Sequence, residues 1–404
     1  MEAFHIAIVS SHHPAAEDLG LPRVVSKLSS FLASWGHHVE VYYPRPSGSK
    51  GRDAPVWQGV KAHGVEVDGM GWFPFGPDLV FSRAVARQLD PKLDVVMANN
   101  ERGGAPVVLR AKRDQRRGDG VHPLVLEVIH GLSLRVLQLG RRTRRPGLRS
   151  SVGFHLDDWA LRRLEGRAAR YADVCVVPSR TVREDMIRTY RVEPRRAVVI
   201  YNGVDPRPQR TEEDVRNARR ALGLDPETHY LTFVGHDADR KGLDIAVGTV
   251  QRLRRGGLRA ELLNVGNDVP STEGMRSFRW VDDATKGMAL DAADVFLFPT
   301  HYDTLPLAVL EAAARGIPVV TTEGANVEMG EPGKDFVLVH PNDVPSHTKV
   351  LEELLHDRDR LAALGRSGRA ALGTRSYETQ AREYLELFHA GLNGVGADRP
   401  RASP

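Results

Sequence analysis

Short apolar runs alternate with helix-length amphipathic segments along almost the whole chain, and this alternation limits the possible folds more than any other feature. Each apolar run is long enough for one buried strand, and each amphipathic segment is long enough for a helix that crosses back over a sheet. Strands and helices that alternate in this way build parallel sheets with helices on both faces. The pattern therefore predicts an α/β fold.

The alternation breaks once, near the middle of the chain, and then restarts. The break at 201–208 is rich in turn-forming Asn, Gly, Asp and Pro residues, which is typical of a linker. A chain of 404 residues also exceeds the size at which one hydrophobic core stops growing, so two domains are expected. We predict domains at 1–200 and 201–375, a helix at 376–392 that packs at the domain junction, and a disordered tail at 393–404.

The predicted elements follow the apolar runs. Strands are predicted at 4–9, 39–43, 95–98, 124–129, 174–177, 198–200, 231–234, 260–265, 295–298 and 318–321. Helices are predicted at 20–35, 81–89, 153–171, 181–190, 242–254, 286–292, 307–315, 346–356 and 377–391.

Composition excludes several classes of protein. No apolar stretch reaches the roughly 18 residues that a membrane-spanning helix needs, and the run at 4–9 is too short for the core of a signal peptide. We therefore expect a cytoplasmic protein, with peripheral attachment to a membrane left open. The single Cys175 excludes an intrachain disulfide and a cysteine-cluster metal site. The net charge of +4 favours an anionic partner without choosing among phosphates, nucleic acid and a membrane.

The most basic segment is the run from Arg141 to Arg149, which holds five arginines. A solvated loop explains this run as well as a site for an anionic acceptor or a membrane face does. Nucleic acid is the weaker interpretation, because no aromatic residues lie between the arginines.

The segment from Gly235 to Gly242 predicts an anion site. An apolar strand ends at Gly235, a short polar loop follows, and Arg240, Lys241 and Gly242 are predicted to open a helix. The first turn of a helix attracts anions, Arg can hold two phosphate oxygens at once, and Lys adds a point charge. Two solvated cations would give the same pattern, but cations at a helix start oppose the helix dipole, so a bound anion explains them better.

A second motif places two acids around the start of a predicted helix. Asp303 lies in the loop after a strand, and Glu311 lies inside the following helix, with seven residues between them. Both carboxylates can then face a ligand over the start of the helix and accept hydrogen bonds from ribose or sugar hydroxyls. The alternative for the loop is an ordinary cap by Asp303 or Thr304, with Pro306 in the first turn. Glu311 is harder to explain in this way, because a carboxylate in an apolar helix needs a partner.

Taken together, these motifs resemble those of glycosyltransferase family 4, whose members have the GT-B architecture. The resemblance rests on an acidic pair before a Gly-Xaa-Pro-Val-Val turn, an Arg-Lys pair for the diphosphate, an interdomain junction and the segment that leads into the acidic pair. The acidic pair is Asp303 and Glu311, and the Gly-Xaa-Pro-Val-Val turn is 316–320. The Arg-Lys pair is Arg240 and Lys241. The interdomain junction is 202–205, and the segment that leads into the acidic pair is 292–295. The match covers most of the chain and implies two Rossmann-like domains facing across a cleft, with the C-terminal helix crossing back to the N-terminal domain.

The first half matches the family more loosely. The segment 19–25, which contains Gly20, resembles the glycine-rich loop after the first strand, with one of its usual two glycines. His130, in an Ile-His-Gly sequence after a strand, resembles the histidine that lies near the donor sugar. Two residues depart from the pattern: His236 stands where the family often has Arg, and Asp303 is one methylene shorter than the usual Glu.

The resemblance implies a retaining transfer of a sugar from a nucleoside diphosphate sugar to an acceptor that the sequence does not identify. A UDP-sugar is the first choice and a GDP-sugar the second. The donor-binding residues it implies are Gly20, Gly235, His236, Arg240, Lys241, Asp303, Thr304, Leu305, Leu307 and Glu311. The catalytic residues it implies are His130, Asp303, Arg240 and Lys241. Glu101 and Arg23 are the candidate acceptor contacts.

Each role has a physical reason. Negative charge develops on the leaving diphosphate, so Arg240, Lys241 and the amides at the helix start near Leu305 and Leu307 would stabilise it. Glu311 would bind the ribose, while Asp303 and His130 would position the sugar, and the glycine at position 20 would allow close approach of the backbone. No Asp-Xaa-Asp pair follows a strand in an obvious metal-binding role, so we predict that no metal or other cofactor is required.

Other functions fit parts of the same pattern. A sugar-nucleotide epimerase or hydrolase of this architecture would share the diphosphate site and act without an acceptor. A degenerate protein that binds a nucleotide sugar without turnover would tolerate the changes at His236 and Asp303. A dehydrogenase fits poorly, because no Gly-Xaa-Gly-Xaa-Xaa-Gly sequence follows the first strand. We predict no nucleic-acid partner.

Overall fold

A computed structural model of the protein describes residues 3–13, 20–46, 59–67, 76–99, 104–117, 123–133, 148–279 and 281–397; within these ranges it does not describe the side chains of 46, 116–117, 148–158, 161 and 394–397. The chain divides into two compact units. The first comprises Met1–Asn202 and Tyr377–Pro404, and the second comprises Gly203–Ser376. The boundary between Asn202 and Gly203 falls inside the turn-rich segment at 201–208.

The predicted strands and helices all occur in the predicted order, and the described residues add three strands and four α-helices that the sequence pattern did not predict. The strands are β1 His5–Ser10, β2 His38–Pro46, β3 Val60–Val67, β4 Val95–Asn99, β5 Leu124–Val128, β6 Val174–Val177, β7 Ala197–Val199, β8 His229–Val234, β9 Ala260–Val265, β10 Met275–Phe278, β11 Val295–Phe298, β12 Val319–Thr321 and β13 Val337–Leu338. The α-helices are α1 Gly20–Ser34, α2 Gly76–Gln88, α3 Ala105–Arg117, α4 Leu148–Tyr171, α5 Arg180–Tyr190, α6 Glu212–Ala221, α7 Ala238–Lys241, α8 Leu243–Arg255, α9 Asp283–Asp291, α10 Leu307–Ala314, α11 Val344–His356, α12 Arg358–Ala371 and α13 Tyr377–Ala397.

The described strands of the first unit form a seven-stranded parallel sheet in the order β3-β2-β1-β4-β5-β6-β7. Successive side chains of one strand pack into different cores: Ala7 and Val9 belong to one cluster, while Ile6 and Ile8 belong to the other. Because side chains alternate between the two faces of a strand, both faces of this sheet are buried, as parallel sheets require.

The second unit repeats this arrangement with a six-stranded parallel sheet among its described strands, in the order β10-β9-β8-β11-β12-β13. Counted from its own first strand, the order is 3-2-1-4-5-6, which is that of the Rossmann fold. The order of the sheet reverses between β8 and β11. The predicted fold class of two Rossmann-like α/β domains is confirmed.

The C-terminal helix α13 belongs to the first unit, although it follows the second in sequence. Its apolar residues Ala381, Tyr384 and Phe388 are buried in the same core as Ile6 and Ile8 of β1. The helix extends to Ala397, five residues beyond the end predicted for it at 392, and the tail at 393–404 stays a prediction. The apolar side chains of 384 and 388 anchor the preceding turns, and helix propagation through the following residues adds one hydrogen bond per residue.

Candidate functional site

The loops that carry the two predicted motifs lie side by side in the second unit. One follows β8 and the other follows β11, and these strands are neighbours in the sheet, with Leu231 opposite Val295 and Thr232 opposite Phe296. Since the strands are parallel, both loops leave from the same carboxyl edge, at the point where the strand order reverses. Open α/β sheets bind ligands at this point.

Backbone contacts tie the two loops closely together. The amide of His301 donates to the carbonyl of Arg240 at 2.9 Å, and the Thr300 hydroxyl donates to the same carbonyl at 3.1 Å. Gly242 has φ +76°, and a Cβ atom at that position would lie 2.1 Å from the carbonyl oxygen of Pro299. The Arg-Lys-Gly sequence therefore needs its glycine because the backbone of the second loop passes directly against it.

The two cations lie in a different place from the one predicted. Arg240 and Lys241 end the one-turn helix α7, Gly242 caps it in the left-handed conformation, and α8 begins only at Leu243. The prediction that these cations open a helix is wrong, because Gly242 interrupts the helical backbone. The two cations complement the dipole of the one-turn helix α7 and lie directly before the start of the longer helix α8, so their charge and position still make this loop a candidate anion site.

Asp303 meets the cations directly. Its Oδ2 lies 2.6 Å from Lys241 Nζ and 3.7 Å from Arg240 Nη1, and its Oδ1 accepts from the Thr304 amide at 2.8 Å. Burial alone would raise the pKa of the Asp303 carboxyl, but the charges of Lys241 and Arg240 and the hydrogen bonds to the carboxylate outweigh burial and hold the pKa below its ordinary value. The carboxylate is therefore ionised at neutral pH.

Neither Asp303 nor Thr304 caps helix α10, which excludes the capping alternative. The residue at the N-cap is Pro306, which makes no side-chain cap hydrogen bond, and the helix begins at Leu307. The preceding Leu305 is buried with φ +75°, a backbone conformation that branched side chains rarely adopt. Strain of this kind clusters at ligand-binding loops, so it marks the turn before α10 as a candidate anion contact.

Glu311 has the partner that its apolar surroundings demand. It is buried in α10, and both of its carboxylate oxygens lie 3.0 Å from Nζ of Lys286, which α9 contributes. A ribose that binds Glu311 must share the carboxylate with this lysine. Lys286 was not predicted as a site residue, and the signal that points to it is the need of a buried carboxylate for a cation.

Gly235 and His236 follow β8 directly. Gly235 is buried, its carbonyl accepts from the Asn267 side chain at 3.1 Å, and a Cβ atom there would lie 3.0 Å from Cδ of Lys241. The glycine thus leaves room for the aliphatic part of Lys241, which is a packing role. His236 is exposed.

Two further residues that the sequence analysis missed hold the loop of Asp303. The Asp303 amide donates to the Gly324 carbonyl at 2.7 Å, and the Asn326 side chain donates to the Asp303 carbonyl. Asn326 has φ +49°, and a Cβ atom on Gly324 would lie 2.5 Å from the carbonyl oxygen of His301. The Gly-Ala-Asn turn is the sequence signal for this support, since Gly and Asn tolerate such backbone geometry.

The remaining predicted residues belong to the first unit. Gly20 is exposed and begins α1, and Arg23 is 8% exposed in the first turn of the same helix. His130 follows β5, and its Nε2 lies 3.1 Å from Oδ1 of Asn99 at the end of β4. Glu101 and the arginine run up to residue 147 lie outside the described residues.

Burial lowers the pKa of His130 to about 4, so its ring is neutral at physiological pH. Because a carbonyl oxygen only accepts, Nε2 carries the ring proton toward Asn99. A neutral imidazole can position a ligand by hydrogen bonding but supplies no positive charge.

The pKa of His130 predicts a pH-dependent contribution to stability. Below pH 6.5 the His130 ring is protonated in the unfolded chain, whereas in the folded protein it stays neutral down to about pH 4. The free energy of unfolding therefore falls as the pH drops through this window. The loss attributable to His130 is expected to reach about 3 kcal/mol. Urea unfolding between pH 7.5 and 4 gives the free energy of unfolding of the wild type and of His130→Gln. The loss due to His130 is the change with pH in the difference between these two free energies. A constant difference across this range would contradict the assignment.

No group of three or more His, Cys, Asp or Glu side chains in the described residues is arranged to hold a metal ion. None of the described helices is long and apolar enough to cross a membrane.

Comparisons with known proteins agree with this architecture. A sequence model described as "Glycosyltransferase Family 4" matches residues 20–207, and one described as "Glycosyl transferases group 1" matches residues 228–357. The chain is 28% identical over 247 residues to a D-inositol 3-phosphate glycosyltransferase of Segniliparus rotundus, and the match covers 57% of this chain and 55% of that protein. The chain thus spans about half the length of the curated relatives it matches.

Solved structures match over almost the whole chain. A sucrose-phosphate synthase from Thermosynechococcus elongatus has a TM-score of 0.77 at 19% identity, covering 96% of this chain and 99% of that one. The Anabaena protein HepE, in complex with UDP-glucose, has a TM-score of 0.71 at 14% identity, covering 96% of this chain and 100% of that one. At these identities the similarity establishes a shared fold.

Proposed function

Since the chain belongs to Glycosyltransferase Family 4, we propose that it transfers a sugar from a nucleoside diphosphate sugar to an acceptor, with retention of anomeric configuration. The observation that carries the proposal is the pair of cations, Arg240 and Lys241, at the carboxyl edge of β8 and β11, where the strand order reverses. A diphosphate at this edge would meet both side chains.

The bond between the anomeric carbon and the phosphate oxygen breaks as the acceptor oxygen bonds to the anomeric carbon. Negative charge grows on the leaving diphosphate, and Arg240, Lys241 and the amides at Leu305 and Leu307 stabilise it there. The acceptor proton passes to the leaving phosphate on the same face of the sugar, so no protein base is assigned. These residues act by charge and position, and no metal is invoked.

The other donor contacts follow from chemistry. Glu311 accepts hydrogen bonds from the ribose hydroxyls, alongside its ion pair with Lys286. Asp303 and the neutral His130 position the sugar by hydrogen bonding, while Gly20, Gly235, His236 and Thr304 complete the donor contacts. UDP is the proposed nucleotide, supported by the UDP-glucose bound to HepE, and GDP is the second choice.

The acceptor is proposed to be anionic. The arginine run beginning at Arg141 supports this, and so does a relative named for inositol 3-phosphate. The sequence also predicts that the enzyme is cytoplasmic and reaches a membrane-bound acceptor by peripheral attachment.

Calorimetric titration of the protein with UDP, GDP, ADP and dTDP, with and without magnesium, tests the donor site. One diphosphate, expected to be UDP, should bind without magnesium, and Arg240→Ala and Glu311→Ala should each weaken it about 100-fold, because each removes a charge-assisted contact. Arg255→Ala is the matched control, since Arg255 is an exposed arginine at the far end of α8.

Failure of all four diphosphates to bind the folded protein would contradict the proposal. Binding followed by release of free sugar or of an epimer, with no transfer to any phosphorylated polyol offered, would favour an epimerase or hydrolase. Binding with no turnover of any kind would favour a nucleotide-sugar-binding protein.

A further inference from the structure

Both carboxylate oxygens of Asp303 are occupied within the second unit. Oδ2 lies 2.6 Å from Lys241 Nζ and 3.7 Å from Arg240 Nη1, while Oδ1 accepts from the Thr304 amide at 2.8 Å. The side chains of Asp303 and Lys241 are only 14% and 15% exposed, so water screens this ion pair weakly. The lysine proposed to hold the diphosphate therefore already holds an anion.

Arg240 is engaged in the same way. Its Nε lies 2.9 Å from Oδ2 of Asp237, and its Nη1 donates to the Tyr302 carbonyl at 2.8 Å. The Asp237 side chain is 49% exposed, so this pair is screened by solvent and easily exchanged. The nearly buried pair between Asp303 and Lys241 is the stronger competitor of an incoming phosphate.

We propose that Asp303 is an internal counter-ion that the diphosphate displaces from Lys241, and that the displaced carboxylate then accepts a hydrogen bond from the donor sugar. This inference rests on the proposed function and deepens it. A nucleoside diphosphate without a sugar has to break the ion pair between Asp303 and Lys241, and it donates no sugar hydrogen bond to the displaced carboxylate. A nucleoside diphosphate sugar offers a hydroxyl in exchange. Asp303 thus favours the donor over the nucleotide product and speeds product release.

The local structure allows the carboxylate to change partners without moving the backbone. The Asp303 amide is held by the Gly324 carbonyl at 2.7 Å, and the Asp303 carbonyl is held by Asn326. With the backbone fixed on both sides, only the two side-chain torsions of aspartate remain to redirect the carboxylate. The short side chain also keeps the carboxylate within reach of Lys241 in the absence of ligand.

Calorimetry of Asp303→Asn with UDP and with UDP-glucose tests the proposal. Asparagine keeps an oxygen that can accept from the Thr304 amide but carries no charge to compete for Lys241. UDP should bind about tenfold more tightly than to the wild type, because a close charge pair no longer has to be broken. UDP-glucose should gain less, so the ratio of the UDP affinity to the UDP-glucose affinity should rise.

Asp239→Asn is the matched control, because it removes one negative charge from the same helix as Lys241 at an exposed position. Unchanged or weaker UDP binding by Asp303→Asn would overturn the proposal. An equal gain in UDP affinity by Asp239→Asn would overturn it as well, because the loss of one negative charge near Lys241 would then explain both results. Thermal unfolding checks that the variants are folded, and Asp303→Ser replaces Asp303→Asn if the latter is not.

The failure of the proposed function has a different signature. If the wild type binds none of the four diphosphates and Arg240→Ala changes nothing, the donor site itself is wrong. If the wild type binds UDP in an Arg240-dependent way and Asp303→Asn does not tighten it, only the counter-ion role is wrong.

Discussion

Replacing Gly242 with alanine is expected to lower the free energy of unfolding of the protein by about 3–5 kcal/mol. The added Cβ would lie 2.1 Å from the Pro299 carbonyl oxygen and 2.9 Å from its carbon, in a backbone with φ +76°. Real Cβ atoms do not approach a carbonyl so closely, so one of the two loops has to shift. Donor binding should fall as well, because Arg240 and Lys241 are attached to the moving loop.

Gly223→Ala separates the steric contribution from the backbone contribution. Gly223 also has a left-handed conformation, with φ +62°, but a Cβ atom there meets nothing within 4 Å. This variant should lose only about 1–2 kcal/mol, the cost of the left-handed backbone. Urea unfolding of both variants measures the two losses. Equal losses would mean that the contact with Pro299 relaxes freely and does not fix the two loops.

Replacing Lys286 with methionine is expected to cost about 3–4 kcal/mol of unfolding free energy. The Glu311 side chain is 11% exposed and Lys286 is 14% exposed, so the substitution leaves a nearly buried carboxylate without the ammonium group 3.0 Å away. Breaking one side of a buried ion pair costs more than the pair itself contributes, because the remaining charge stays desolvated. Urea unfolding at pH 7 gives the loss directly.

The double variant Lys286→Met with Glu311→Met is the control. It removes both charges and fills the same volume, so it should recover most of the stability lost in Lys286→Met. It should not recover nucleotide binding, since the proposed ribose contact of Glu311 is gone. A double variant as unstable as the single one would show that packing, and not the stranded charge, determines the loss.

Local pattern predicted the buried strands and most of the helices that face a core, and it missed elements whose apolar signal is weak. The edge strands β3, β10 and β13 were missed, because an edge strand is short or half-exposed and lacks a continuous apolar run. Helix α6 was missed because only Ala218 in it is buried, although its capping box at Thr211 is a sequence signal for its start. Helices α3 and α12 are similarly rich in charged residues.

The residues of the two charged motifs could be selected from the sequence, but their contacts could not. Spacing identified Asp303 and Glu311 as two acids around a helix start. It did not reveal that Asp303 pairs with Lys241, which lies 62 positions earlier, or that Glu311 pairs with Lys286 from another helix. Those pairs depend on which strands are neighbours in the sheet.

The sequence by itself determined that the chain forms two α/β domains, because alternation between apolar strands and amphipathic helices is a local property. It also determined which charged residues follow strand ends, since these positions are read directly from the order of residues. Only the tertiary structure decided the arrangement of the charges. Sheet order brings β8 beside β11, and the close contact of Gly242 with Pro299 locks their loops, so the cations and Asp303 meet through space. Ion pairs between distant residues depend on that packing, which no local pattern encodes.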